Sequence, residues 1–125
     1  MKKIFIQPHS SIKEALRQLD KTGEGCLIVV NKKNELLGTL SDGDLRRIIL
    51  KGKLINDKIS GIYEKKPTFI KKESYSPNHI KDLFLKKMID VIPIVDNSKK
   101  VIDLVFFAEL FKKNKNNKHA KKLST

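Results

Sequence analysis

The feature that most constrains the fold is an internal repeat with a period of 65 residues. Residues 26–45 align without a gap on residues 91–110. Few aligned residues are identical, but the apolar positions of the first copy fall on apolar positions of the second. A chain of 125 residues suffices for one compact domain and is too short for two independent cores joined by a linker. The two copies are therefore expected to share one core.

Both copies show the same succession of local patterns. Two short apolar strands enclose a polar turn, Asn31–Glu35 in the first copy and Asp96–Lys100 in the second, and a helix follows. An amphipathic helix precedes these strands, starting at Ser11 in the first copy and at Ser76 and Pro77 in the second. Its apolar stripe consists of Ile12, Ala15, Leu16 and Leu19 in the first copy and of Ile80, Leu83, Phe84 and Met88 in the second. A short strand comes before each of these helices, at residues 4–6 and 68–70.

These patterns predict an α+β fold in which two β-α-β-β-α repeats pack face to face as one pseudo-two-fold domain. One such unit cannot cover its own sheet, whereas two packed together can. We expect the first repeat at residues 1–53, a linker with one short helical turn at 54–66, and the second repeat at 67–111. Residues 112–125 are expected to form a disordered basic tail, because they have almost nothing to bury.

The chain carries 27 Lys and Arg against 14 Asp and Glu, a net charge of +13, and six of the bases lie in the tail. Such a charge could hold nucleic acid at low salt. The tail, however, has no aromatic residue to stack on bases and no arginine to grip phosphates. Lysine dominates the bases, as it does in the proteins of AT-rich genomes. We therefore do not expect nucleic-acid binding and keep it as the last of three hypotheses.

The remaining composition argues against several other classes of protein. A lone Cys26 excludes an intrachain disulfide and a structural zinc site, so we expect a reducing, cytoplasmic location and a buried, inert thiol. The longest apolar runs have five residues, so we expect no membrane span. The three histidines, His9, His79 and His119, are isolated and are expected at the surface. No acid–base pair or metal-ligand spacing is present, and we predict no enzyme, no catalytic residue, no metal and no required cofactor.

The motif with the most chemical content is the segment Gly38–Leu45, where a strand meets the N-terminus of a helix. Unpaired backbone N–H groups and the positive end of the helix dipole favour a phosphate there. The Ser41 hydroxyl can donate to the same anion, and the Asp44 carboxylate can accept from a ribose diol. Gly38 would let a ligand approach the backbone closely. The three-residue spacing of Ser41 and Asp44 is equally typical of a helix that caps itself, and the spacing alone leaves both interpretations open.

The duplicated pattern, with a glycine, a hydroxyl residue three positions on and an aspartate three further, resembles a tandem pair of CBS domains, also called a Bateman module. The resemblance extends over roughly residues 1–111. It implies that an adenosine-containing nucleotide, such as AMP, ADP, ATP or S-adenosylmethionine, binds between the repeats as a regulatory ligand. The residues that it implicates are Gly38, Thr39, Ser41, Asp44, Pro67, Thr68, Val91 and Ile92, the last two as walls around the base.

The second copy departs from this pattern. Phe106 stands in place of Ser41, Asp103 in place of Gly38, and Glu109 in place of Asp44. A phenyl ring cannot donate to a phosphate, and an added carboxylate would repel one. We therefore expect one competent site and one degenerate site.

The first-copy segment also resembles CBS pairs fused to sugar-phosphate nucleotidyltransferases, so such a domain or protein is the expected regulatory partner. Residues 112–125 contain no glycine and hence none of the glycine-rich loop with which that enzyme would begin, so the chain is expected to stand alone or to be truncated. The arginines Arg46 and Arg47 could neutralise a polyphosphate, but they are better explained as a solvated helix face. The resemblance further implies a stacked homodimer. A ligand-free dimerisation module is accordingly the second functional hypothesis.

Overall fold

The computed structural model of the protein describes residues 2–111. Each repeat contributes a three-stranded sheet and two helices. The first repeat contains β1 (Phe5–Ile6), α1 (Ile12–Thr22), β2 (Cys26–Val30), β3 (Leu36–Ser41) and α2 (Asp42–Leu50). The second contains β4 (Ile70–Lys71), α3 (Pro77–Lys87), β5 (Val91–Val95) and β6 (Val101–Phe106), and residues 107–111 continue as a helix, α4. Short 3-10 turns occur at Lys2–Ile4, Ile59–Gly61 and Lys72–Ser74. The predicted α+β fold of two β-α-β-β-α repeats is confirmed, and the predicted tail lies outside the described residues.

The two sheets repeat each other down to their register. In each sheet the first strand pairs parallel with the central strand, and the central strand pairs antiparallel with the last. Cys26 lies opposite Ser41 in the first sheet, and Val91 lies opposite Phe106 in the second, at positions 65 residues on. The register shifts once in each hairpin, at Val29/Val30 and at Ile94/Val95. The alignment of residues 26–45 with 91–110 is therefore also the structural equivalence of the repeats.

Contacts between equivalent residues mark the pseudo-two-fold axis. Glu35 and Lys100, which are equivalent, form an isolated bridge between the two hairpin turns. The Leu36 N–H donates to the Lys99 carbonyl at 2.9 Å, and the equivalent Val101 N–H donates to the Asn34 carbonyl, also at 2.9 Å. At the other end of β2 and β5, the equivalent residues Gly25 and Asp90 lie side by side. The axis therefore runs from the hairpin turns to the start of the two central strands.

The core shows why both repeats are needed. All five residues of β2 and all five of β5 are buried, because each central strand is flanked by strands and covered on both faces. Val91, Val95 and Val101 of the second repeat pack in the larger cluster, together with the residues of the first. A smaller cluster around Ile80, Phe84 and Ile92 lies within the second repeat. The side chains of β5 and β6 thus pack with those of the first repeat in one shared cluster.

The helix ends agree with the sequence-based prediction in one place and differ from it in two. α2 begins at Asp42, directly after Ser41, as the capping interpretation of the Ser41–Asp44 spacing requires. Ser76 occupies the N-cap of α3 but makes no side-chain hydrogen bond, and Pro77 supplies the first-turn proline. Met88 was expected in the buried stripe of α3, and that prediction is wrong. It is the C-cap, with φ of 51°, and 90% of its surface is exposed, because the left-handed residue turns away from the stripe.

Candidate functional site

The segment around Ser41 and Asp44 lies where β3 ends and α2 begins. Both residues are half-buried, and they form a reciprocal capping box. The Asp44 N–H donates to Ser41 Oγ at 3.0 Å, and the Ser41 N–H donates to Asp44 Oδ2 at 3.0 Å. The capping interpretation of their spacing is therefore confirmed. The hydroxyl proton of Ser41 is not used by this box, and each carboxylate oxygen can accept a further hydrogen bond.

The two arginines of α2 pair with the two aspartates of its first turn. Arg46 pairs with Asp42, four residues earlier, and Arg47 donates to Asp44 Oδ1 at 2.7 Å. The arginine side chains are 68% and 65% exposed, so both pairs lie on the solvated face that the sequence predicts. Exposed pairs of this kind contribute at most about 1 kcal/mol, so Arg47 can leave Asp44 at little cost. The carboxylate is thus held in place without being sequestered.

Gly38 has a different role from the one expected. The linker returns to the edge of β3, where the Thr39 N–H donates to the Glu64 carbonyl at 3.0 Å and the Glu64 N–H donates to the Thr39 carbonyl at 2.8 Å. A Cβ atom at Gly38 would collide with the Glu64 carbonyl oxygen and lie 2.5 Å from Cδ1 of Tyr63. The space beside Gly38 is filled by the chain itself, so the expectation that a ligand approaches the backbone there is wrong. Tyr63 and Glu64, which sequence reasoning passed over, occupy it.

The other residues implicated by the resemblance fall into two groups. Pro67 and Thr68 are half-buried and lie in the chain just before β4. Val91 and Ile92 are 3% and 0% exposed and belong to the core. A side chain that is already fully packed offers little surface to a ligand. Other groups would therefore separate Ile92 from a bound base. That Val91 and Ile92 form walls around a base stays a prediction.

The second repeat has its own version of the junction, and it opens on a cavity between the repeats. Phe106, the equivalent of Ser41, lines a cavity of about 300 Å³ together with Lys3, Ile4, Lys21, Thr22 and Glu24 of the first repeat. Glu109 is exposed. The cavity shows that the strand–helix junction of the second repeat faces the 3-10 turn before β1 and the C-terminal end of α1. Lys3 and Lys21, which the sequence analysis did not single out, are the cations of this cleft.

In the second repeat, the side chain of Asp103, the equivalent of Gly38, accepts a hydrogen bond from the edge of its own strand, β6. Asp103 Oδ1 accepts the Leu104 N–H at 2.8 Å, whereas the equivalent N–H of Thr39 donates to the linker. The second repeat therefore lacks, among the described residues, the backbone pairing that covers β3. The equivalent backbone N–H thus has a different acceptor in each repeat: the Glu64 carbonyl in the first and the Asp103 carboxylate in the second.

Cys26, His9 and His79 lie where the sequence predicts them, the thiol buried and the two imidazoles exposed. Cys26 is buried, and burial raises the pKa of its thiol to about 12, with a further contribution from the nearby Asp90 carboxylate. His9 and His79 are exposed, and His119 lies outside the described residues. Within residues 2–111, no three His, Cys, Asp or Glu side chains converge to hold a metal ion. None of the helices in the same range has the length and apolar character that crossing a bilayer requires.

Two β-α-β-β-α repeats around a pseudo-two-fold axis, with a cleft where the second junction meets the first repeat, define a paired-repeat module. The model of the CBS domain family matches residues 1–51. The CBS domain protein NE2398 aligns with nearly the whole described chain, with a TM-score of 0.77 at 22% identity, over 89% of this chain and 87% of that one. Residues 1–51 therefore match the CBS domain family, and the described chain as a whole has the fold of a tandem CBS pair.

Curated relatives place this module within longer proteins. An uncharacterised protein of Helicobacter pylori is 31% identical over 106 residues, 85% of this chain and 32% of its own length. Arabinose 5-phosphate isomerase GutQ of Escherichia coli is 24% identical over 102 residues, 82% of this chain and 32% of its own length. The chain thus spans about a third of the length of the curated relatives it matches. The nucleotidyltransferase partner that the resemblance implies stays a prediction.

Two further solved structures share the fold. The cytosolic domain of the Mg²⁺ channel MgtE, solved in complex with ATP, aligns with a TM-score of 0.72 at 19% identity, over 88% of this chain and 44% of that one. GMP reductase of Trypanosoma brucei aligns with a TM-score of 0.74 at 27% identity, over 90% of this chain and 25% of that one. The same fold thus forms part of longer chains with different names and activities.

Proposed function

We propose that the chain is a regulatory, ligand-sensing module that binds an adenosine-containing nucleotide between its two repeats. The observation that carries this proposal is the half-buried pair Ser41 and Asp44 at the start of α2. AMP, ADP, ATP and S-adenosylmethionine are the candidate ligands. The ATP complex of the structurally similar MgtE domain supports an adenine nucleotide over other small molecules.

The chemistry of the pair suits a nucleoside. Its two carboxylate oxygens each have a lone pair left after the contacts with the Ser41 N–H and with Arg47. They can accept two hydrogen bonds from the vicinal hydroxyls of a ribose. The Ser41 hydroxyl can donate to a phosphate, and the N-terminal dipole of α2 favours the same negative charge. Arg47 can then exchange Asp44 for the phosphate, because its present ion pair is exposed and weak.

We infer the residues of the other wall of the site from the pseudo-two-fold symmetry. Ile4 and Phe106 line the cavity of the second junction. The parallel pairs Ile6 with Val29 and Ile70 with Ile94 make Thr68 the counterpart of Ile4. By the same symmetry, Pro67 and Thr68 belong beside Ser41. The cavity of about 300 Å³ at the Phe106 junction is at the lower end of the range for small-molecule sites. By the pseudo-two-fold symmetry we expect a cleft of the same kind at the Ser41 junction, with a hydroxyl in place of the Phe106 ring, and we propose that one nucleotide binds there.

A thermal-shift panel tests the proposal with a matched pair of variants. The panel contains AMP, ADP, ATP, their guanine counterparts and S-adenosylmethionine. A ligand at a hundredfold excess over its Kd stabilises the native state by about 2.7 kcal/mol, which is a shift of several degrees in a domain of this size. We expect Asp44→Ala to abolish the shift and Asp42→Ala, two residues earlier in the same turn of α2, to retain it. If Asp44→Ala binds as the wild type does, the site is wrongly assigned.

A ligand-free dimerisation module is the second candidate, and the closed capping box favours it. Ser41 and Asp44 have a structural use that needs no ligand. A panel without any shift, together with a stable dimer, would support this candidate over the sensor.

The regulated partner is proposed to be an enzyme of sugar phosphates, either fused to the module or bound by it. The support is the similarity to arabinose 5-phosphate isomerase GutQ, of which this chain matches about a third. A sugar-phosphate nucleotidyltransferase, expected from the sequence, falls in the same broad class of substrate. Isomerase and nucleotidyltransferase assays, with and without nucleotide, distinguish these two classes of enzyme. They are made on the longest protein that contains this chain.

A further inference from the structure

The turn that follows α2 exposes a cluster of aliphatic side chains. Leu50 is 81% exposed, Leu54 69% and Ile55 46%, and the three lie within six successive residues. Single exposed leucines are common on protein surfaces, whereas several together are typical of an interaction site. The proposed nucleotide site uses none of the three.

Hydrogen bonds of the backbone hold this turn in shape. Gly52, with φ of 109°, reverses the chain at the end of α2. The Leu54 N–H then donates to Asp57 Oδ2 at 2.8 Å, and the Asp57 N–H donates to the Leu54 carbonyl at 2.9 Å. The Ile55 carbonyl accepts the Lys13 N–H at 2.8 Å, which ties the turn to the start of α1. Because the backbone is fixed on both sides of Leu54, the aliphatic side chains stay in solvent instead of folding inward.

The same turn is strongly basic. Four exposed lysines accompany the aliphatic side chains: Lys13, Lys51, Lys53 and Lys58. Within the part of the chain that the structure describes, none of the four forms an ion pair. The one acid in residues 50–58 is Asp57, and its carboxylate accepts the Leu54 N–H. The dipole of α2 favours a cation at Lys51, directly after the helix, but it does not account for the other lysines or for the exposed leucines.

We propose that this turn binds the surface of a membrane that contains anionic phospholipids. The lysines meet the lipid phosphates, while Leu50, Leu54 and Ile55 enter the boundary between the headgroups and the acyl chains. The alternation of leucine and lysine suits this setting, because a lysine stem can lie along apolar groups while its ammonium group stays among the headgroups. The net charge of +13 attracts the chain to a negative surface from a distance.

A lipid surface explains these observations better than a protein partner does. A protein would have to offer an acid opposite each lysine and a pocket for each aliphatic side chain. A bilayer offers phosphates and an apolar interior at every point, so it needs no matched shape. The turn lies at the end of α2 that is remote from Ser41 and Asp44, about 12 Å along the helix, so the proposal does not depend on nucleotide binding.

The first test is co-sedimentation of the whole chain with lipid vesicles at about 0.15 M salt. The vesicles contain phosphatidylcholine with about one third phosphatidylglycerol, and pure phosphatidylcholine is the reference. We expect binding to the anionic vesicles only. Leu54→Ser should weaken it about tenfold, because the leucine leaves water on binding. Lys51→Gln and Lys53→Gln should each weaken it about fivefold.

Leu85→Ser is the matched control for the loss of an exposed leucine. Leu85 is 66% exposed and lies beside Asp90, toward the opposite end of α1 from Lys13. Its replacement should leave binding unchanged, and circular dichroism should show that every variant is folded.

The second test locates the contact by fluorescence. The chain contains no tryptophan, so an introduced one reports on a single position. The emission of Leu54→Trp should move to shorter wavelength on anionic vesicles, because the indole enters less polar surroundings, and that of Leu85→Trp should not move. Attraction by net charge alone would let Leu54→Ser bind as the wild type does and would leave the two tryptophans alike, which overturns the proposed contact. Equal binding to neutral vesicles overturns the role of the lysines. A chain that stays in the supernatant overturns the proposal and leaves the turn to a protein partner.

Discussion

Replacing Gly38 by alanine should destabilise the fold although it adds only one methyl group. The Cβ would collide with the Glu64 carbonyl and approach Cδ1 of Tyr63 to 2.5 Å. The backbone of β3 is fixed by its pairing with Val29, so the linker must move instead. Moving it breaks the two hydrogen bonds between Thr39 and Glu64. The substitution therefore tests whether the linker is part of the folded unit or a loose tether.

The expected loss is about 2–3.5 kcal/mol of unfolding free energy. Each of the two hydrogen bonds contributes about 1 kcal/mol net, and crowding around Tyr63 adds about 1–2 kcal/mol. Against this, replacing glycine restricts the unfolded chain and returns about 0.4–1 kcal/mol. In urea, with a slope of about 1–3 kcal/mol/M, the midpoint should fall by about 1 M or more at constant slope.

Two other glycines separate crowding from backbone strain. Gly61 has open space around its Cβ position and an ordinary φ, so Gly61→Ala should be neutral or slightly stabilising. Gly23 also has open space, but its φ is 67°, so Gly23→Ala should lose about 1 kcal/mol from strain alone. If Gly38→Ala costs no more than Gly61→Ala, the linker yields freely and the argument for its close packing is refuted.

Two further predictions concern the junction and the buried thiol. Ser41→Ala removes the side-chain acceptor of the Asp44 N–H and should lower stability by about 1 kcal/mol in denaturant unfolding, whereas Ser41→Thr should retain most of it. The Cys26 thiol has a pKa of about 12 in the native state, so it should resist a thiol reagent at pH 8 until the protein unfolds. Because the unfolded thiol ionises near its ordinary pKa of 9.0 and the native thiol does not, its contribution to stability should be lost as pH rises above 9.0, and a flat profile there would contradict the assignment.

The repeat could be recognised from sequence because apolar spacing is set by the strands and helices themselves. The equivalence of residues 26–45 and 91–110 extends in the structure to the bulge in each hairpin. The spacing of Ser41 and Asp44 likewise predicts a helix cap as one of its two interpretations, and the cap is present. Such features are local, so a short window of sequence contains all the groups that interact.

The predictions that failed depend on groups distant in sequence or on where an element ends. The space beside Gly38 is taken by Tyr63 and Glu64, about 25 residues later, and no local pattern shows that the linker returns to this edge. Met88 continues the 3.6-residue spacing of α3, but the helix ends at Lys87, and a left-handed residue then points its side chain outward. Periodicity gives the face of a helix and not its last residue.

Each strand–helix junction places successive residues on two different surfaces. In the second repeat, Phe106 lines the cleft between the repeats, and the next residue, Phe107, lines a surface cavity of about 320 Å³. In the first repeat the equivalent residues are Ser41, in the proposed nucleotide site, and Asp42, which lines a surface cavity of about 460 Å³. A nucleotide bound at Ser41 would thus act on the same first turn of α2 that forms part of this outer surface. A movement of that turn on binding would change the outer surface as well, which gives the proposed sensor a route from its ligand to a partner.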